Sequence, residues 1–138
     1  MNESRSLVAV VDDDASVRES LPDLLKELGF AVRPFSSAEA FLASGCIANT
    51  RCLIADIAMP GMTGFDLRHE LKARGHDLPT IFMTAQTDDA FRRRLTESGA
   101  VASLFKPFSE EALLEAIETA LGQRLGSLSL LYGKGSLS

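Results

Sequence analysis

The chain predicts an α/β domain, a doubly wound open parallel sheet with helices on both faces, and three observations carry that prediction. Short strand-like runs, most of them apolar, recur five times along 138 residues, at 7–11, 31–35, 52–55, 80–83 and 101–105. Segments in which apolar residues keep helical spacing lie between them, giving five βα units. Polar groups gather where four of the runs stop: Asp12-Asp13-Asp14 after the first, Asp56 after the third, Thr84 after the fourth and Lys106-Pro107 after the fifth. In such a sheet, ligands collect outside the carboxyl ends of the strands, where loops converge and helices point their N-terminal amides.

Each element has its own justification. Leu7-Val8-Ala9-Val10-Val11 is apolar throughout, as a central strand covered on both faces must be. Asp14 or Asp13 caps the first helix, where Val17, Leu21, Leu24, Leu25 and Leu28 keep helical spacing and Gly29 supplies the stop. Pro22 removes a hydrogen bond inside that helix, so a kink or a late start is expected near it. Pro34 puts the second strand at a sheet edge, where a missing N–H is tolerated. Ser36-x-x-Glu39 reads as a capping box for a short second helix. After the Asp56 strand, Pro60 and Gly61 break regular structure, and a third helix with Leu67 and Leu71 runs to about Arg74 before Gly75. Thr87-Asp88-Asp89 starts a fourth helix with Phe91 and Leu95 one turn apart. Ser109-Glu110-Glu111 caps the last helix, whose Leu113, Leu114, Ile117 and Leu121 form its buried stripe. From Gly122 the composition shifts to Gly, Ser and Leu, which reads as a C-terminal tail or linker, 122–138, although Leu121, Leu125 and Leu128 would let the helix run on.

Composition bounds the function. A chain of this length with 46% hydrophobic residues suits one domain with a proper core. A net charge of −5 argues against direct nucleic-acid binding, which needs clustered Lys and Arg; the one basic run, Arg92-Arg93-Arg94, is short and reads as a solvated helix face. Cys46 and Cys52 match no zinc or redox spacing, so a reducing compartment is the default. No signal peptide or membrane span is expected and the predicted location is cytoplasmic. His69 and His76 fall in or just after the third helix, away from the strand ends, and read as surface residues.

Brought to one sheet edge, the strand ends assemble carboxylates from Asp12, Asp13 and Asp56, the Thr84 hydroxyl and the Lys106 ammonium. Crowded carboxylates repel one another, and a hard divalent ion with oxygen ligands neutralises them. Magnesium suits this set, because it binds through one or two carboxylates and leaves room for a phosphoryl group on Asp56. Lys106 then offers a point charge to that group and Thr84 a hydrogen bond.

Val10-Val11-Asp12-Asp13-Asp14, Asp56 with Met59-Pro60-Gly61-Met62-Thr63-Gly64, Thr84-Ala85, Gly99-Ala100 and Lys106-Pro107-Phe108 together resemble the receiver domain of a two-component response regulator, over residues 7–121. The resemblance implies a flavodoxin-like, CheY-like (βα)5 sandwich with strand order 2-1-3-4-5 and a receiver domain over 1–121. It implies Asp56 as phosphoacceptor, Thr84 as switch hydroxyl and Lys106 as the phosphoryl contact. Magnesium would be held by Asp12, Asp13, Asp56 and the backbone carbonyl of Ala58, and the Lys106-Pro107 bond would be cis. The implied partners are a sensor histidine kinase or phosphotransfer protein and, on phosphorylation, a second copy meeting through the fourth helix, fifth strand and fifth helix.

The stretch from Ser20-Leu21 through Phe35-Ser36-Ser37-Ala38-Glu39-Ala40-Phe41-Leu42 is similar to the FixJ-like subgroup, whose receivers usually precede a DNA-binding domain, so a transcriptional output is implied. A stand-alone receiver, serving as relay intermediate or phosphate sink, is the alternative. One departure stands out: the position three before Lys106, typically aromatic and mobile in the family, is Ser103. Ala58 and Gln86, two residues after Asp56 and Thr84, are where the family varies the access of hydrolytic water. A haloacid-dehalogenase-like phosphatase also combines Asp, Thr or Ser, Lys and magnesium, and Asp12-x-Asp14 mimics its signature. Ala15-Ser16 follow where that family has a hydrophobic or Thr pair, and no insertion is long enough for its cap domain.

Overall fold

The computed structural model describes residues 7–86 and 88–122. Five strands form one sheet: β1 (Leu7–Val11), β2 (Ala31–Phe35), β3 (Thr50–Asp56), β4 (Thr80–Thr84) and β5 (Ala102–Phe105), all parallel and in the order β2-β1-β3-β4-β5. Between and after them run α1 (Ala15–Glu27), α2 (Ala38–Ala43), α3 (Gly64–Ala73), α4 (Asp89–Glu97) and α5 (Glu110–Leu121), with a 3-10 turn at Ile47–Asn49.

Period-two alternation along the strands sorts their side chains into two cores. Val8, Val10, Cys52, Ile54, Ile81 and Met83 face Leu21 and Leu25 of α1 and Leu113 and Ile117 of α5. Ala9, Val11, Leu53, Ala55 and Phe82 face Phe41 of α2, Leu67 and Leu71 of α3 and Leu95 of α4. Cys52 is fully buried, and burial pushes its thiol pKa up to about 12, so it serves as a small apolar residue.

Most element ends follow local chemistry. Asp14 is the α1 cap, its carboxylate accepting the Ser16 N–H, and Gly29 follows the helix at φ 101°. Pro34 does lie on an edge strand. The Lys106-Pro107 bond is cis.

Several expectations need correction. The late start near Pro22 does not occur: α1 begins at Ala15 and runs unbroken through it, with the ring buried, so apolar burial offsets part of the lost hydrogen bond. The expected box from Ser36 to Glu39 is absent. Ser37 caps α2 by accepting the Ala40 N–H, which frees the Glu39 side chain for a distant partner. β3 starts two residues earlier than its apolar run, and β5 one residue later. α4 is capped by Asp88, while Thr87 lies outside the described residues. α5 stops at Leu121 because Gly122 takes the left-handed conformation, φ 69°; Leu125, Leu128 and the reading of a tail or linker beyond Gly122 lie outside the described residues.

Candidate functional site

Register brings the strand ends level. Val11 pairs with Ala55, Asp56 with Met83, and Thr84 with Phe105, so Asp12, Asp56, Thr84 and Lys106 all emerge at one edge of the sheet. There the sequence-predicted acids meet: one carboxylate oxygen from each of Asp12, Asp13 and Asp56 lies within 4.8 Å of the others. Asp12 and Asp56 are buried, and Asp13 is exposed at the mouth.

Asp12 is held at every polar atom. Its N–H donates to the Phe35 carbonyl at 3.1 Å, and its carbonyl accepts from Arg18 Nη1 at 3.0 Å. Its Oδ1 accepts the Asp14 N–H at 2.9 Å, and its Oδ2 accepts from Lys106 Nζ at 3.0 Å. Lys106 also lies 3.8 Å from Asp56 Oδ2, so the one ammonium spans both buried acids. Burial works against its charge, but the hydrogen bond to Asp12 and the charges of Asp12, Asp56 and Asp14 outweigh that and raise its pKa. Asp56 is pushed up to about 6, first by burial and then by the Asp12 charge; Lys106 and the N–H of Ala58, which donates to its carboxylate, offset only part of this.

The surplus of negative charge is the chemical signature of the site. Three carboxylates meet where one ammonium reaches two of them, every acidic ligand atom is a hard oxygen, and Asp56 pays for ionisation in a raised pKa. Such a set fits a hard divalent cation such as magnesium. Thr84 is buried, and its Oγ1 accepts the Gln86 N–H at 3.0 Å, so the hydroxyl hydrogen is the group it has to offer. Ala58 lies on the exposed side of the turn after β3. That turn is held by the Met59 and Gly64 N–H groups, both donating to the Ile57 carbonyl, and by a capping box between Thr63 and Asp66.

His69 is exposed on α3 and His76 follows that helix, so neither joins the site. Ser103 sits on β5 beside a cavity of about 260 Å³ lined by Arg92, Leu95, Thr96, Ala100 and Phe105, and Arg92 stacks over Phe105 at 4.6 Å. Arg94 likewise lies over Phe65 at 4.5 Å. Three side chains make contacts that were not legible in the sequence: Arg18 to the Asp12 carbonyl, Glu39 to the Met62 N–H, and Arg68 to the Ser98 and Leu78 carbonyls. Each joins a side chain to a backbone group, and no residue type at the receiving end announces it.

Residues 8–118 match the model of the response regulator receiver domain. The chain is 40% identical to the response regulator protein TmoT of Ectopseudomonas mendocina over 121 residues, 88% of this chain and 55% of that protein. It is also 40% identical to the transcriptional regulatory protein FixJ of Azorhizobium caulinodans over 116 residues, 84% of this chain and 55% of that protein. The chain thus spans about half the length of these relatives. Among solved structures, FixJ-N superposes with a TM-score of 0.77 at 36% identity, covering 86% of this chain and 95% of that one. The Vibrio cholerae chemotaxis protein CheY4 gives 0.77 at 28% identity, covering 86% of this chain and 100% of the other. Among the described residues no helix is long and apolar enough to cross a membrane.

Proposed function

The chain belongs to the response regulator receiver domain family, signalling domains of two-component systems, and on that premise we propose that it accepts a phosphoryl group on Asp56 from a histidine kinase or phosphotransfer protein in the cytoplasm. The observation that supports this reading best is the convergence of three carboxylates at the sheet edge, two of them sharing one lysine.

In the proposed step an Asp56 carboxylate oxygen attacks phosphorus in line. The new P–O bond forms as the P–N bond of the donor phosphohistidine breaks, and the leaving imidazole keeps the electron pair and takes a proton from solvent. Asp12, Asp13, Asp56 and the Ala58 carbonyl would hold magnesium, which supplies positive charge to the phosphoryl oxygens. Lys106, poised between Asp12 and Asp56, moves its charge onto the incoming group. Thr84 turns its hydroxyl toward the same group, and the backbone at Ala85 and Gln86 follows. The domain positions and neutralises and does not turn over a separate substrate. Intact-mass measurement after treatment with acetyl phosphate and magnesium should show one added phosphoryl group, absent in Asp56→Asn. Equal labelling of that variant would overturn the assignment.

The output we propose is transcriptional, through a domain or partner that reads the face made by α4, β5 and α5; TmoT and FixJ, matched over about half their length, are named as a response regulator and a transcriptional regulator. Phosphorylation would pair two copies through this face. Among the described residues Val101, immediately before β5, is the exposed large apolar side chain, 39% accessible. The basic stretch of α4 and the acids Glu110, Glu111, Glu115 and Glu118 of α5 give the two helices opposite charge. A relay intermediate or phosphate sink would use the same chemistry without this pairing.

A further inference from the structure

We propose that Glu39 is a positioning residue for the acidic site, acting from α2 on the loop that carries Ala58. The proposal deepens the magnesium-dependent phosphoacceptor reading and rests on it.

Ser37 satisfies the start of α2 by itself, and Glu39 reaches across 23 positions of sequence to accept the Met62 N–H at 3.2 Å. The same carboxylate packs against Gly61: a Cβ there would lie 3.0 Å from Glu39 Oε2, and Gly61 itself is at φ 76°. Apart from the buried Met59 side chain and the Met62 side chain packed against the same core, the loop after β3 is anchored at its two ends among the described residues. Ile57 ties it to β4 through the Met83 carbonyl, and the Thr63–Asp66 box together with Gly64 fixes the start of α3. Pro60, Gly61 and Met62 lie between these anchors, and Glu39 is the side chain from another element that grips them.

Ala58 sits one residue before Met59 in this loop, and its N–H already donates to Asp56. Its carbonyl is oriented by where the loop runs. Partners that orient a ligand without touching the ion change affinity substantially when removed. The contact needs an acceptor oxygen at the end of a three-bond reach and needs no charge, so the amide of Gln can replace the carboxylate, while Ala removes the acceptor and Asp is too short.

The test compares the native chain with Glu39→Ala, Glu39→Asp and Glu39→Gln. Three quantities are read: amide hydrogen exchange at Met62, magnesium affinity by titration calorimetry, and the rate of labelling by acetyl phosphate across a magnesium series. In the Ala and Asp variants, Met62 exchange should rise about tenfold and magnesium binding weaken by about tenfold, the low end of what such partners contribute. Labelling should slow at low magnesium and recover at saturating magnesium. The Gln variant should stay within about twofold of native in all three. Native magnesium affinity in both Ala and Asp variants would overturn the proposal, and so would a Gln variant as impaired as Ala. A native chain that takes no label on Asp56 would instead overturn the phosphoacceptor reading, while the exchange and calorimetric readouts still decide on Glu39.

Discussion

Asp56 and Asp12 share a lysine but differ in what surrounds them. Asp12 has both carboxylate oxygens engaged, by Lys106 and by the Asp14 N–H, whereas Asp56 stands farther from the ammonium and meets the Asp12 charge across the site. Its pKa is raised from 3.8 to about 6. The folded state therefore keeps this proton over a range where the unfolded chain has lost it. Metal-free stability contributed by the group is full below about pH 4 and falls as pH rises toward 6. Discounted for solvent reaching the carboxylate, the loss is about 2 kcal/mol at neutral pH. We expect Asp56→Asn to be more stable than native by about that amount at pH 7 without metal, and no different near pH 3.5. Urea titrations at the two pH values measure this; magnesium should shrink the difference at pH 7.

At the scale of elements, the turn from β3 into α3 is tightly packed where it meets the helix, at Gly64. A Cβ on Gly64 would lie 2.8 Å from the Asp56 carbonyl oxygen and 3.0 Å from the Ile57 Cα, and both are backbone atoms. Neither can step aside without moving the strand end that presents Asp56. Gly64→Ala should cost about 1–3 kcal/mol, as overpacking does, and slow labelling of Asp56; denaturant unfolding and intact-mass kinetics report the two effects. The sequence made Gly64 visible as a loop glycine without revealing its neighbours. Apolar runs, caps such as Asp14 and Ser109, and Pro34 at an edge were legible because their causes are local or need only the sheet's parallel form. The strand-end acids were legible for the same reason, since the fold rule alone brings them together. Glu39 was misread because Ser-x-x-Glu advertises a partner three residues away, while the real one is Met62. Arg18 and Arg68 escaped for a related reason: a carbonyl as partner leaves no mark in a sequence.

For the whole molecule, the stacking of Arg92 on Phe105 and Arg94 on Phe65 alters how the proposed pairing of two copies should be tested. Replacing all three arginines would disturb α4's own packing. Arg93 is exposed between them, so Arg93→Glu changes the charge of the face with least internal cost. Sedimentation of the phosphorylated chain should show a dimer that Arg93→Glu weakens modestly at low salt and that high salt weakens in the native protein, because exposed pairs contribute about 1 kcal/mol or less. A monomer in every condition would remove the pairing from the mechanism.

The sheet also divides the domain thermodynamically. Ile117 under α5 and Leu67 under α3 lie in different cores with the strands between them, so substitutions at the two sites should add with little coupling energy. One layer can therefore be repacked while the free energy of the other stays where it was. On the reading proposed for Asp56, α5 shares its core with α1 and α4 shares its core with α2 and α3, so a face made of α4, β5 and α5 draws on both layers at once.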